Sequence, residues 1–288
     1  MYIANPIYDV VFKYLMQNNE IAILILSTIL DEEILSLELM PQETAMALEN
    51  RTFTVYRLDF SARIKTSTGE QRHVVIEIQK AKFAADIMRF RRYLGEQYKK
   101  GFSVEGEKVS KAAPIISIYF LGYKLDRVTA PVIKVLRSYR DAATGEEILA
   151  REEFIESLTH DSFVIQIPYL GPERKTATER LLAVFDQHAR VVGDEHVLDI
   201  DEEAYPEEYR QVVRLLNRAV SEPDIRRTME VEDEILAELE DMERRIANMG
   251  KTIEEKDKVI EENARALEEK NRALEEKDRL IAQLRKPR

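Results

Sequence analysis

Cysteine is absent from this 288-residue chain, and histidine occurs only four times. The absence of cysteine excludes disulfides, thiolate metal sites and cysteine nucleophiles. No two of the histidines stand at the spacing of a zinc motif, so we do not expect a zinc site. A chain without cysteine is also compatible with a reducing compartment.

The sequence also lacks an apolar run of membrane-spanning length. The apolar stretch at 21–30 is short and is bounded by Glu20 and Asp31. The first ten residues, MYIANPIYDV, lack the basic region of a signal peptide. We therefore expect a cytoplasmic protein with no membrane association.

Positive charge is in deficit, since 54 acidic residues face 43 basic ones and the net charge is −11. Residues 229–288 account for −5 of this and residues 1–228 for −6. Nucleic-acid proteins are often basic, so any DNA contact would need a local basic patch.

Alternating periodic segments predict an α/β domain over residues 1–228. Asn5 and Pro6 predict the start of a helix whose apolar stripe holds Phe12, Leu15 and Met16. The further predictions are a helix at 20–30, a connection at 41–51, a helix at 83–100, a buried strand at 114–121, another strand at 162–170, and helices at 176–191 and 206–220. The buried stripe expected on the 83–100 helix consists of Phe83, Ile87, Phe90, Leu94 and Tyr98.

A seven-residue repeat predicts a C-terminal coiled coil over residues 229–288. The a positions are all apolar, namely Ile246, Ile253, Ile260, Leu267, Leu274 and Ile281. The d positions are apolar at Ile235, Met242 and Met249, polar at Lys256, Asn263, Lys270 and Lys277, and apolar again at Leu284. This pattern favours a coiled coil over an isolated charged helix, and we expect a homodimer, most simply a parallel one. The d lysines are expected to set register or oligomeric state.

A β-hairpin with its bend near Thr68 and Gly69 is predicted by two alternating segments, TVYRLDFSARI and HVVIEIQ. If the strands pair about Thr68, residues whose numbers sum to 136 face each other. Asp59 would then lie opposite Glu77, with Gln79 two residues along on the same face.

Two opposed carboxylates repel each other, and a divalent cation would offset that repulsion. Mg²⁺ prefers oxygen ligands, which Asp59 and Glu77 supply and to which the carbonyl of Ile78 could add. The alternative is a solvated strand face, with Asp59 paired to Arg57 or Arg63. Spacing alone does not separate these two interpretations.

The order of several motifs resembles one known family. These are NPIYDVVFKYLM, the DFSARI strand, VVIEIQ, a helix with MRFRRYLGEQY, and the strands PIISIYFL and FVIQIPYL. Together they resemble the Rpn family, also called PD-(D/E)XK nuclease family transposases or recombination-promoting nucleases, over residues 1–220. The resemblance implies an αβββαβ restriction-endonuclease-like core whose metal site lies on the second and third strands.

The resemblance assigns roles to particular residues. Asp59 and Glu77 would be the metal-binding carboxylates, with Mg²⁺ as the ion and Mn²⁺ as a substitute. Gln79 stands where the commoner motif has lysine, so it would orient water by hydrogen bonds without adding charge. Asp9 would lie near the metal, although a plain ion pair with Lys13 is the alternative.

Three further residues would contact substrate. Arg89 and Tyr93 would face the phosphate from the long helix, on the same side as Gln97, whereas a solvated face is the alternative. Lys80 could reach the site from the strand end, but strand alternation points it to the opposite face. His73 is expected at the surface.

These roles imply a Mg²⁺-dependent DNA endonuclease that hydrolyses phosphodiester bonds in recombination, transposon-like mobility or defence. The alternative function is a catalytically inactive nuclease fold that acts as a DNA-binding or coiled-coil assembly module.

Overall fold

The structure, a computed structural model, describes residues 1–39, 60–80, 86–99, 101–102, 111–112, 114–171 and 173–284. The chain divides into two compact units, Met1–Glu232 and Asp233–Arg288. The predicted boundary between residues 228 and 229 lies close to this division.

The described helices and strands alternate along the first unit. The helices are α1 (Asp9–Gln17), α2 (Asn19–Leu30), α3 (Asp86–Tyr98), α4 (Glu153–Leu158), α5 (Ala177–Leu182), α6 (Glu207–Val220) and α7 (Pro223–Leu284). The strands are β1 (Tyr2–Ala4), β2 (Ile34–Leu39), β3 (Phe60–Thr66), β4 (Gln71–Gln79), β5 (Gly101–Phe102), β6 (Lys111–Ala112), β7 (Ile115–Leu121), β8 (Val132–Val135), β9 (Tyr139–Arg140), β10 (Glu147–Ile148), β11 (His160–Gln166), β12 (Arg190–Val191) and β13 (Asp194–Asp199).

A mixed six-stranded sheet in the order β2-β3-β4-β7-β11-β8 forms the centre of this unit. Strands β4, β7 and β11 run parallel, whereas β2, β3 and β8 pair antiparallel with their neighbours. The expected α/β class is confirmed.

The two faces of the sheet differ in composition. Val74, Ile76 and Ile78 of β4 point into the main core, which they share with α1, α2 and α6. Val75 points to the other face, where it packs with Phe90 and Leu94 of α3. Because residues along a strand alternate between faces, Glu77 and Gln79 lie on the α3 side with Val75.

The predicted hairpin register is confirmed for six residue pairs. They run from Phe60 opposite Ile76 to Lys65 opposite Gln71, and each pair sums to 136. Gly69 has φ 85°, in the left-handed region that favours glycine, so the bend falls where the sequence placed it.

The predicted helix start at Asn5 and Pro6 is wrong, since α1 begins at Asp9. The backbone N–H of Asn5 donates to the carbonyl of His196 and so extends the pairing of β1 with β13. The Asn5 side chain bonds Gln187 and the carbonyl of Glu195. These long-range contacts outweigh the local capping preference. Phe12, Leu15 and Met16 are buried as expected.

The apolar stripe predicted for the long helix is partly wrong. Phe90 and Leu94 are buried, but Ile87 is 58% exposed and Tyr98 is 39% exposed. Gln97, expected on the face opposite this stripe, is buried. The contact face of α3 therefore runs through positions 90, 94 and 97. Phe83 lies outside the described residues.

Other predicted boundaries shift where turns interrupt the pattern. The strand expected at 162–170 ends at Gln166, and a 3₁₀ turn with Pro168 follows. The helix expected at 176–191 keeps only α5 and gives way to 3₁₀ turns and β12. The helices at 20–30 and 206–220 and the strand at 114–121 are confirmed as α2, α6 and β7. The predicted connection at 41–51 lies outside the described residues.

The second unit consists of the greater part of α7, a helix of 62 residues. The a positions from Ile246 to Ile281 are 47–63% exposed. Among the described residues, none of the helices has the length and apolar character needed to cross a membrane.

Candidate active site at the end of strand β4

Two polar side chains are buried on the α3 side of β4. Glu77 is 3% exposed and Gln79 is 6% exposed. On the parallel neighbour β7, Tyr119 lies opposite Glu77 and Leu121 lies opposite Gln79. A carboxylate and an amide are thus held two residues apart on a central strand, where burial of the charge is costly without compensation.

A close approach of two strands fixes the end of β4. The backbone N–H of Gly122 donates to the carbonyl of Gln79 at 2.7 Å. A Cβ atom on Gly122 would come within 2.4 Å of the carbonyl oxygen of Lys80. Only glycine allows this separation, so the position after β7 keeps the strand end in place.

The amide of Gln79 has a defined orientation. The hydroxyl of Tyr123 donates to Oε1 of Gln79 at 3.1 Å. Because the amide oxygen is engaged by Tyr123, the Nε2 group presents its two N–H donors to another partner. Gln79 is therefore arranged as a hydrogen-bond donor.

Tyr119 places a hydroxyl near the carboxylate. Burial raises the pKa of Tyr119, and the negative charge of Glu77 raises it further. Its ring packs on Phe90 of α3, with 3.9 Å between ring centroids. Tyr119 thus stays protonated and keeps its O–H as a donor beside Glu77.

The contact of Phe90 with Tyr119 aligns α3 with the site. Since Tyr119 pairs with Glu77, the stretch of α3 around Phe90 is level with the carboxylate. The backbone of Arg89 and Tyr93 belongs to this stretch. Their side chains lie outside the description.

Asp59, the first predicted metal ligand, lies outside the described residues. Its expected position opposite Glu77 was based on pairs that sum to 136. That register holds for the six neighbouring pairs of β3 and β4.

Lys80 and Asp9 both lie near the start of α1. The ammonium of Lys80 is 3.8 Å from the centroid of the Tyr8 ring, which belongs to the main core. Asp9 pairs with Lys13 at 2.5 Å, which is the ion pair given as the alternative to its catalytic role. The contact with Tyr8 holds the Lys80 ammonium against the N-cap residue of α1.

Glu232 is a buried neighbour of Asp9 that sequence reasoning missed. Its carboxylate accepts hydrogen bonds from the backbone N–H groups of Asp9 and Val10, at 3.0 and 2.9 Å. Burial raises the pKa of Glu232 to about 7, and the charge of Asp9 contributes to the rise. Because Glu232 falls in the charged C-terminal pattern, no local pattern indicates that it caps α1.

The expected surface position of His73 is wrong. His73 is 7% exposed, and its Nε2 lies 2.7 Å from the hydroxyl of Ser61, which is 2% exposed. The antiparallel register brings the two residues together on the α3 side of the sheet. Tyr119 and Tyr123 were also missed, although both lie at the end of the predicted strand 114–121, where ligands of open α/β sheets often bind.

Within the described ranges, no group of three or more histidine, aspartate or glutamate side chains could hold a metal ion. No family model, no curated protein and no solved structure matches this chain. The fold and site therefore define an α/β protein with a buried Glu–Gln pair on a central strand, followed by a long C-terminal helix.

Proposed function

We propose that this chain is a Mg²⁺-dependent DNA endonuclease with a PD-(D/E)XK-type core. The order of its main elements, α2, β2, β3, β4, α3 and β7, supports the proposal because it is the αβββαβ order that the family resemblance implies. The four strands are also neighbours in the sheet, in the order β2-β3-β4-β7.

The observation that carries the proposal is the burial of Glu77 and Gln79 together on the third of these strands. Maintaining an ionised carboxylate in a buried position is costly, so such groups tend to mark sites of function. Gln79 follows two residues later, at the position of the lysine in the commoner motif.

The donor set suits magnesium. Glu77 and Asp59 would hold the ion, with the carbonyl of Ile78 as a third oxygen, and such hard oxygen donors select Mg²⁺ or Mn²⁺ over zinc. When bound, the ion would polarise the phosphate and make a bound water more acidic. Two of these three donors are on β4, and the third directly precedes β3.

The other site residues would bind the phosphate and orient water. Gln79 would donate its N–H groups to water or phosphate, and Tyr123 would keep the amide in that orientation. Arg89 and Tyr93 on α3 would contact the phosphate from the facing side, where Arg89 could neutralise its charge. Asp9 would approach the metal from the start of α1, and Lys80, whose ammonium lies over the Tyr8 ring, would reach the phosphate from the strand end.

The proposal also covers the binding partners and the cellular location of the protein. DNA is the substrate, and two copies associate through α7, whose apolar a positions need a covering helix. The protein would act in the cytoplasm, in recombination, mobility or defence.

The direct test is incubation of purified protein with supercoiled plasmid and Mg²⁺, beside an Asp59→Ala variant. We expect wild type to nick or linearise the plasmid and the variant to leave it intact. Equal cutting by both proteins would locate the activity elsewhere or assign it to a contaminant, whereas failure of folded wild type to cut would favour the inactive assembly module.

A further inference from the structure

The charged side chains of α7 fall into two groups with different partners. On the outer face, arginines pair with glutamates of the same helix, as Arg265 does with Glu261 at 3.8 Å and Arg272 with Glu268 at 2.6 Å. In the described part of α7, no such ion pair involves Lys256, Lys270 or Lys277 at the d positions.

The sequence around the d lysines explains their isolation. Residues three or four apart on a helix are neighbours, whereas adjacent residues do not face each other. Lys270 has Ala266, Leu267, Ala273 and Leu274 at these spacings, and no carboxylate stands at these spacings from Lys256 or Lys277 either. No carboxylate at these spacings in the same helix can pair with these lysines, whereas a carboxylate of a second chain could.

At the e positions, Asp257 and Asp278 are carboxylates without a basic partner at these spacings in the same helix. Asp257 has Glu254 and Glu261 as helical neighbours on one side, and Ile253 and Ile260 on the other. Asp278 likewise has Glu275 and Leu274 beside it. Neither aspartate has a lysine or arginine three or four residues away in its own helix. The like charges that do stand at these spacings are destabilising.

A row of small and apolar residues lies on the other flank of the lysines. Val259, Ala266 and Ala273 occupy g positions, and Val259 is 54% exposed. Across the contact face, the positions run in the order e, a, d, g. The e row holds Asp257 and Asp278 with Ala264 and Asn271 between them, the a row is apolar, the d row holds the lysines and Asn263, and the g row is small and apolar.

We propose that α7 pairs with α7 of a second copy, parallel and in register, through alternating apolar and ionic layers. This inference rests on the proposed self-association but not on the nuclease activity. In a parallel two-fold pair, the d–g side of each helix meets the a–e side of its partner. Lys256 then lies beside the partner's Asp257, Lys277 beside the partner's Asp278, and the g residues cover the partner's a residues.

The other arrangements lose these contacts. An antiparallel pair brings g against g and e against e, so the lysines meet alanine and valine while aspartates face aspartates. A parallel pair shifted by one heptad retains one Lys–Asp contact, between Lys270 and the partner's Asp278. It also separates the two copies of Asn263, which face each other only in the unshifted pair.

Single cysteines test the geometry, because the chain has none of its own. In the full-length protein, Ile260→Cys should form a covalent dimer on mild oxidation, since paired a positions come within disulfide distance. Arg265→Cys on the outer face is the matched control and should stay mostly uncoupled. An antiparallel pair would instead couple Ile260→Cys with Lys270→Cys in a mixture, and a shifted pair would couple it with Leu267→Cys; either result overturns the proposal.

A charge swap tests the ionic layers. Lys256→Asp with Lys277→Asp makes one variant, and Asp257→Lys with Asp278→Lys makes the other. Each alone should dimerise at least about tenfold more weakly than wild type, a change equivalent to about 1.4 kcal/mol. An equimolar mixture should form the heterodimer, in which every swapped charge faces its opposite.

Sedimentation and light scattering separate the possible failures. A wild-type protein that is monomeric at high micromolar concentration would contradict self-association and this pairing together. A dimer whose variants mix without preference would contradict the ionic layers alone. The plasmid assay reports on the nuclease proposal independently of both results.

Discussion

The hydroxyl of Tyr123 donates a 3.1 Å hydrogen bond to Oε1 of Gln79, so a tyrosine just beyond β7 sets the orientation of an amide on β4. The bond spans two strands whose ends are held together by the Gly122 N–H and the Gln79 carbonyl. In the proposed site, this geometry makes Gln79 a donor toward water or phosphate.

The first prediction concerns that bond. Tyr123→Phe should lower kcat for DNA cleavage about tenfold, the effect of losing about 1.4 kcal/mol from the transition state, with little change in KM. Gln79→Lys restores the commoner motif and should retain activity, whereas Gln79→Glu keeps the acceptor for Tyr123, loses both donors and should be inactive. Activity of Gln79→Glu close to wild type would show that donation by the amide is not required.

A second prediction concerns metal binding. Mg²⁺ or Mn²⁺ should raise the melting temperature of wild type, because a ligand that binds only the folded state stabilises it. Glu77→Ala should remove most of the shift while leaving the protein folded. Thermal melts over a metal titration provide the measurement, and an unchanged shift in the variant would place the bound ion elsewhere.

A third prediction concerns pH. Glu232 has a pKa of about 7 in the folded protein against an ordinary value of 4.5, so the folded state binds the proton more tightly than the unfolded chain. Its contribution to the free energy of unfolding is therefore full below about pH 4.5 and declines as pH rises to 7, by up to about 3 kcal/mol. Urea unfolding from pH 4.5 to 8 should show this decline in wild type relative to Glu232→Gln.

The matched control for Glu232 is Glu230→Gln, at an exposed position on the same helix. Its unfolding should follow the wild-type dependence on pH. If the Glu232→Gln and Glu230→Gln curves run parallel, the raised pKa of Glu232 is wrong.

A fourth prediction concerns the strand end. Gly122→Ala should destabilise the protein by about 2 kcal/mol or more and reduce cleavage, because its Cβ would clash with the Lys80 carbonyl. Gly95→Ala on α3 is the control, since beyond its chain neighbours and the backbone of its own helix no atom lies within 4 Å of its added Cβ. There the better helix propensity of alanine should stabilise by up to about 1 kcal/mol. Similar melting temperatures for Gly122→Ala and wild type would refute the close approach.

The structure of a segment could be predicted from its sequence where a single pattern of apolar residues ran through the whole segment. The alternation in β3 and β4 predicted a register that six pairs obey, and the apolar run of β7 predicted a buried strand. The same alternation placed Glu77 and Gln79 on one face. Such features depend on neighbours in sequence or on a single tight turn.

Long-range contacts account for what the sequence did not predict. Asn5 resembled a helix cap, yet besides the nearby N–H of Ile7 its side chain bonds the distant Gln187 and the carbonyl of Glu195. His73 seemed to have no partner because Ser61 is brought to it only by strand pairing. Tyr123 and Glu232 reach Gln79 and Asp9 through the tertiary fold, which no local period encodes.

The most direct test of the central claim is the single-turnover rate of plasmid cleavage by Glu77→Gln, measured with Mg²⁺ beside wild type. The substitution keeps the size of the side chain and removes the charge that the metal requires. We expect the rate to fall about a thousandfold or more, on the order of 4 kcal/mol in the barrier, while circular dichroism and melting show an intact fold. A rate within threefold of wild type would contradict a catalytic metal site at the end of β4.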